Sequence, residues 1–154
     1  MTVEIKFTSE NKNTVKNKDG KVWVSQKAII FGKDGKMLTI RRSKTAPSRP
    51  LKWDLPGGTF GLGEKAKEAL VREIKEETGL AAKNLRVADV VSGFNDINEF
   101  WVSIFYTAEA VGDKIILSYE HDDFKWVTLD EFLEMETSPR IKEFAENLEK
   151  SYGK

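Results

Sequence analysis

Residues 57–80 read GGTFGLGEKAKEALVREIKEETGL, and the fold turns on how this stretch is understood. Ala66, Ala69, Leu70 and Ile74 recur at helical spacing, which predicts a helix over 64–78. Gly79 stands where a left-handed C-terminal cap is wanted. Glu73, Glu76 and Glu77 lie at i, i+3 and i+4 and so share one face. At about 100° per residue, Glu77 falls between Ala66 and Leu70, and Glu73 falls beside Ala66 and Ala69. These carboxylates therefore sit on the apolar side of the helix. Clustered, partly buried carboxylates need a cation, a proton or a basic partner. Arg72 can pair with one or two of them. A divalent cation is the natural remaining neutraliser, and an all-oxygen donor set suits Mg²⁺ or Mn²⁺ rather than zinc. A solvated helix with ordinary salt bridges is the alternative that any glutamate-rich run carries.

Working outward from this stretch, Val22 to Phe31 is rich in β-branched and aromatic residues and predicts a strand. Asp34-Gly35 follows as a hairpin signal, and Met37 to Arg41 reads as the return strand. Residues 43–52 hold Ser, Thr and two prolines and read as a loop, and Trp53 to Leu55 leads into Pro56-Gly57-Gly58. Downstream, Leu85 to Val91 and Phe100 to Ala108 predict strands. The second is apolar on both faces, as a central strand is. Phe124 to Val127 predicts a further short strand. Thr128-Leu129-Asp130-Glu131 matches a capping box opening a short helix. Ser138-Pro139 starts the last helix, with Ile141, Phe144, Ala145 and Leu148 as its apolar stripe. Helices flanking a mixed sheet make an α/β layered domain over 22–154. Residues 8–21 are polar and turn-rich and separate an alternating segment, Val3, Ile5 and Phe7, from the body, so that 1–21 is expected to be an arm or a strand packed on that domain.

Composition narrows the chemistry. The 154 residues carry 25 Lys+Arg against 25 Asp+Glu. Zero net charge argues against a dedicated nucleic-acid binder and against a polybasic membrane anchor. With no cysteine, thiolate metal sites and cysteine nucleophiles are excluded. One histidine, His121, rules out a multi-histidine zinc site. No apolar run approaches the roughly 20 residues of a membrane span. The N-terminus lacks a signal-peptide pattern, so a cytoplasmic protein is expected.

Gly58, Glu64 and the run Arg72-Glu73-Ile74-Lys75-Glu76-Glu77-Thr78-Gly79-Leu80, at their spacings, match the Nudix box without a departure. The chain thus resembles the Nudix hydrolase family, MutT-like members included. The strand pair and Pro-Gly-Gly before the box, and the strands and C-terminal helix after it, resemble that family too. The resemblance implies an α/β/α sandwich around a mixed sheet. It also implies Mg²⁺- or Mn²⁺-dependent hydrolysis of a nucleoside diphosphate linked to another moiety. By resemblance, Glu73, Glu76 and Glu77 hold the metals, and one of them is a candidate for the base as well. The Gly57 carbonyl is a further ligand, Glu64 lies near the metals, and Arg72 orients the glutamates. Gly58 and Gly79 shape the loop and the helix end. Glu120, ahead of the strand Phe124 to Val127, is where MutT-like members often place an extra metal-binding or basic glutamate. Asp122 and Asp123 are substitutes for it.

Recognition of the rest of the substrate is less marked. One of Arg41 and Arg42 is expected to contact phosphate or base, since alternation sends them to opposite faces. Arg41 is the candidate. Phe94, Phe100, Trp101 and Trp23 are candidates for stacking on a base, although strand aromatics are more often core. Asn95 and Asp96 are placed to read a base edge. The proline that marks the ADP-ribose subfamily and the tyrosine of dinucleoside polyphosphate hydrolases are both missing after Gly79. The expectation is a (d)NTP pyrophosphohydrolase giving (d)NMP and pyrophosphate, a monomer or homodimer. The alternatives are another substrate of the same linkage (ADP-ribose, a nucleotide sugar, a dinucleoside polyphosphate, an RNA 5′ end) and a nucleotide-sensing module without turnover.

Overall fold

The computed structural model describes residues 20–59, 61–95 and 97–152. The arm over 1–21 lies outside these almost entirely, as do Phe60 and Asp96. Strands β1 (Val22–Phe31), β2 (Met37–Arg42), β3 (Trp53–Asp54) and β4 (Gly57–Gly58) precede helix α1 (Ala66–Thr78). Strands β5 (Ala81–Phe94), β6 (Phe100–Val111) and β7 (His121–Val127) follow, then α2 (Leu129–Leu133) and α3 (Pro139–Tyr152).

All seven strands join one mixed sheet. The expected hairpin of β1 with β2 is reduced to one register pair, Phe31 with Met37. Strand β1 instead runs parallel to β6 over its whole length, from Val22–Phe100 to Phe31–Glu109. Strand β2 pairs with β7. The Asp-Gly turn is thus present, but partners far along the chain take over the strands it joins. Strand β6 lies between β1 and β5, the central position its apolar faces predict.

Alternation on β1 divides the core. Ala28 and Ile30 face α1, packing with Leu38, Ile40, Leu70, Ile74 and Leu80. Ile29 faces the other way, into a cluster with Phe105, Phe132 and the predicted stripe of α3, all of which is buried. Phe105 and Phe144 stack at 4.3 Å between ring centroids. The capping box forms as read, with Thr128 Oγ1 accepting from the Glu131 N–H and the Glu131 carboxylate accepting from the Thr128 N–H. No described helix is long and apolar enough to cross a membrane.

The edges of several elements shift from expectation. Helix α1 starts at Ala66, leaving Glu64 outside it. Strand β5 extends over 81–94 and β7 starts at His121. The aromatics Trp23 and Phe94 are not core: they are 40% and 42% exposed. Trp23 lies at the start of β1 and Phe94 at the end of β5.

Candidate active site

The site begins with a close approach of backbones. Gly57 has φ of 137°, and a Cβ there would stand 2.1 Å from the Gln26 carbonyl oxygen. Only glycine fits this crossing of β4 and β1. The Gly57 N–H is turned toward α1 and donates to Glu77 Oε2 at 3.2 Å. The Glu73 carboxyl lies against Gly58, 3.5 Å from where its Cβ would be. Two carboxylates of one helix therefore bracket the Gly57-Gly58 dipeptide.

Their burial is graded. Glu77 is buried, Glu73 half-buried and Glu76 exposed, as the helical phase relative to Ala66 and Leu70 predicts. Burial pushes the Glu77 carboxyl up to about 8, against the opposing pull of Lys27 and the Gly57 N–H. Glu73 is also raised, by burial first and then by the charges of Glu76 and Glu120, while Arg72 opposes. Glu120 is thus close enough to be felt at Glu73. The loop carrying it is pinned to the end of α1, where Ile116 and Ser118 N–H groups donate to the Thr78 and Glu77 carbonyls. Its own carbonyl accepts from the Ser43 N–H.

Arg72 organises the exposed rim. Its Nε and Nη2 grip Glu64 at 3.0 and 2.9 Å, and its Nη1 reaches Glu76 at 3.0 Å and Glu73 at 3.3 Å. Glu64 in turn accepts from the Gly61 N–H at 2.6 Å, closing the glycine turn ahead of the helix. Gly79 adopts φ of 76° and caps α1, its N–H donating to the Lys75 carbonyl. With the acids drawn to Arg72, no three His, Asp or Glu side chains among the described residues stand ready-made around one point. The donor set nevertheless fits a hard divalent cation. Glu73, Glu76, Glu77 and Glu120 are all oxygen donors, and burial shifts the carboxyls of Glu73 and Glu77 upward, so a cation at Glu77 would displace a proton.

Behind Glu77 lies a buried ionic group that the sequence reading missed. Asp54 is 3% exposed. It pairs with Lys27 at 2.9 Å and with Arg42 at 3.4 Å. Lys27, the one charged residue of β1, is the sequence signal for it. His121 is buried nearby with Nδ1 unpartnered.

The recognition candidates are scattered. Arg41 and Arg42 diverge at a bulge. Arg41 is tied to Asp122 at 2.8 Å and lies over the Trp53 ring. Asp123 accepts from the Phe124 N–H. Phe94 packs edge-on against Phe100. Asn95 spends its side chain on the β5–β6 turn, accepting from the Ile97 and Glu99 N–H groups and donating to the Glu99 carboxylate. Neither Phe94 nor Asn95 shares a hydrogen bond with the carboxylate cluster.

Comparison with known proteins matches this geometry to a family. The NUDIX domain model matches residues 22–148. An ADP-ribose pyrophosphatase of Methanocaldococcus jannaschii is 34% identical over 126 residues, spanning 80% of this chain and 69% of that protein. A putative 8-oxo-dGTP diphosphatase of Mycobacterium tuberculosis is 29% identical over 105 residues, 68% of this chain and 74% of that one. The crystal structure of a MutT protein from Methanosarcina mazei Go1 superposes with a TM-score of 0.74 at 34% identity, covering 86% of this chain and 96% of that one. Hydrolases of this family generally need a divalent metal. The chain belongs to the NUDIX domain family and is a hydrolase acting on phosphorus-containing anhydrides.

Proposed function

We propose that the chain is a pyrophosphohydrolase of nucleoside triphosphates, converting a (d)NTP and water to a (d)NMP and pyrophosphate in the cytoplasm. The observation that carries this reading is the bracketing of Gly57-Gly58 by Glu77 and Glu73. A buried carboxylate, a half-buried one and a turn whose backbone only glycine can form meet there. Glu73, Glu76, Glu77, the Gly57 carbonyl and Glu120 would hold Mg²⁺ or Mn²⁺. A bound ion of this kind neutralises diphosphate charge and lowers the pKa of its water.

The chain's own residues do the rest. Arg72 ties Glu64, Glu73 and Glu76 together along the exposed rim of the site. One glutamate of the cluster, Glu120 among the candidates, takes the proton of the attacking water. Gly58 leaves room beside Glu73 for a phosphate oxygen. Arg41, Phe94 and Asn95 remain candidates for substrate contact at the periphery.

ADP-ribose is the second reading, favoured by the name of the Methanocaldococcus jannaschii relative. A hydrolysis panel decides between them. Purified protein with Mg²⁺ is offered NTPs, dNTPs, ADP-ribose, nucleotide sugars and dinucleoside polyphosphates, with Glu77→Gln as control. Pyrophosphate and NMP from a triphosphate, lost in the control, support the first reading. AMP and ribose 5-phosphate from ADP-ribose support the second. Turnover that persists undiminished in Glu77→Gln sinks the site assignment.

A further inference from the structure

Helix α1 covers only part of the sheet face on which it lies. Ala28 and Ile30 of β1 sit beneath it, in one cluster with Leu70 and Ile74. Gln26, the next residue of the same row, donates to the carbonyl of Ala66, the first residue of the helix. Val24 and Val22 continue the row past the end of α1. The register carries it across the sheet. Val24 pairs with Val102 and Gln26 with Ile104 on β6, and Ile104 pairs with Val90 on β5. Val87, opposite Tyr106 beyond the bulge, returns to the same face. Val22, Val24, Val87 and Val90 are 37–57% exposed.

Three adjacent strands thus present one bare apolar surface. The solvated face of a sheet is normally polar, and contiguous apolar surface marks a place where something docks.

The chain itself supplies a cover. Strand β1 enters the sheet at Val22, a corner of this surface, and residues 1–19, outside the described residues, join it there. Val3, Ile5 and Phe7 hold alternate positions with Glu4 and Lys6 between them. An extended segment puts three such side chains on one side. Residues 8–19 carry one aliphatic residue, Val15, and span about 40 Å when extended. The middle of the surface is well within that reach. Val90 is two strand spacings, about 10 Å, across from β1, and level with Gln26, about 13 Å along from Val22.

A segment laid on the face keeps its backbone edges in water, so burying its apolar row leaves no peptide group unpaired. The tether also favours it over a second molecule, because a segment on a short flexible linker is present at an effective concentration on the order of millimolar.

We propose that Val3, Ile5 and Phe7 dock on the bare face formed by Val22 and Val24, Val102 and Ile104, and Val87 and Val90. The N-terminal segment then completes its own domain as an outer layer beside α1.

A chain without cysteine allows a direct test. Full-length chains carrying Ile5→Cys with Val90→Cys, or Ile5→Cys with Val24→Cys, are oxidised at low protein concentration and resolved without reductant. Ile5→Cys with Val111→Cys is the control, since Val111 is 50% exposed at the far end of β6. The first two pairs are expected to close an intramolecular disulfide at least about tenfold faster than the control. Rates equal to the control overturn the proposal. So does a disulfide-linked dimer as the main product, which would make this face an interface between copies. Stability gives a second readout. Ile5→Ser is expected to lower the urea midpoint of the otherwise unchanged chain. In a chain already carrying Val24→Ser and Val90→Ser it is expected to lower the midpoint by less than about half as much. No shift, or an equal shift in both backgrounds, overturns the docking.

Discussion

The Gly57 N–H and the Glu77 carboxylate are bonded across 20 residues of chain, at 3.2 Å, inside the protein. That one bond does not offset the burial of the carboxylate, which titrates at about 8. In the unfolded chain the same group titrates near 4.5. Between these values the folded protein binds a proton that the unfolded chain has lost. The contribution of Glu77 to metal-free stability is therefore fullest below pH 4.5 and is lost as pH rises toward 8.

The first prediction follows for Glu77→Gln. The amide is neutral at every pH, so the variant loses this decline. In EDTA at pH 8 it is expected to be more stable than the wild type by an amount on the order of a few kcal/mol. At pH 5 the two should differ little. Urea denaturation at both pH values checks this. Activity with Mg²⁺ should fall by orders of magnitude in the same variant. A variant less stable than wild type at pH 8 would contradict the assigned protonation of Glu77.

Metal binding should carry the same signature. A cation at Glu77 must displace a proton below about pH 8. The apparent affinity for Mn²⁺ is expected to rise by about tenfold or more between pH 6 and pH 8, with protons released on binding. Isothermal titration in buffers of different ionisation enthalpy measures both. Glu77→Gln should bind Mn²⁺ weakly and with little pH dependence. A flat affinity in the wild type would place the cation away from Glu77.

The two glycines of the turn should respond oppositely to alanine. At Gly57 the new Cβ meets the Gln26 carbonyl at 2.1 Å, in a backbone conformation L residues avoid. Gly57→Ala is expected to cost more than about 3 kcal/mol or to prevent folding. At Gly58 the Cβ meets only the Glu73 carboxyl, at 3.5 Å. Gly58→Ala should fold within about 1 kcal/mol of wild type but lose turnover, because the methyl occupies the space beside Glu73. Thermal melts and the hydrolysis assay, run on both variants, separate the two roles.

These contrasts also show what a sequence can and cannot carry. Helix α1 is legible because its determinants are local: Ala66, Ala69, Leu70 and Ile74 fix its phase, Gly79 its end, and the phase alone ranks Glu77, Glu73 and Glu76 by burial. The capping box at Thr128 and the stripe of α3 are local in the same way. The parallel pairing of β1 with β6 is not, since its register pairs lie 78 residues apart, as Trp23 and Trp101 do. The hairpin signal at Asp34-Gly35 therefore read truly as a turn, and the antiparallel pairing it opens is confined to Phe31 with Met37. Asp54, Lys27 and Arg42 come from three strands, and Arg140 reaches Trp101 from a helix 39 positions on. No periodicity marks such meetings. The one charge in a mostly apolar strand, Lys27, is the nearest thing to a local sign.

Asp54 gives the last prediction, and it runs in the opposite direction to Glu77. Burial alone would raise its carboxyl, but Lys27 and then Arg42 outweigh burial and hold it below the usual range. Its contribution to stability is present above its unfolded value, near 3.8, and is lost as pH falls through the lower folded value. The wild type in EDTA should then show a stability maximum, with an acid limb set in part by Asp54 and an alkaline limb set in part by Glu77. Asp54→Asn leaves Lys27 and Arg42 without their shared counter-ion in a buried site. It is expected to cost about 3–5 kcal/mol near neutral pH and to flatten the acid limb while leaving the alkaline one. Glu77→Gln should do the reverse. Urea midpoints across pH 3 to 8 for both variants provide the comparison. An acid limb unchanged in Asp54→Asn would mean that the buried pair with Lys27 contributes nothing to the pH dependence.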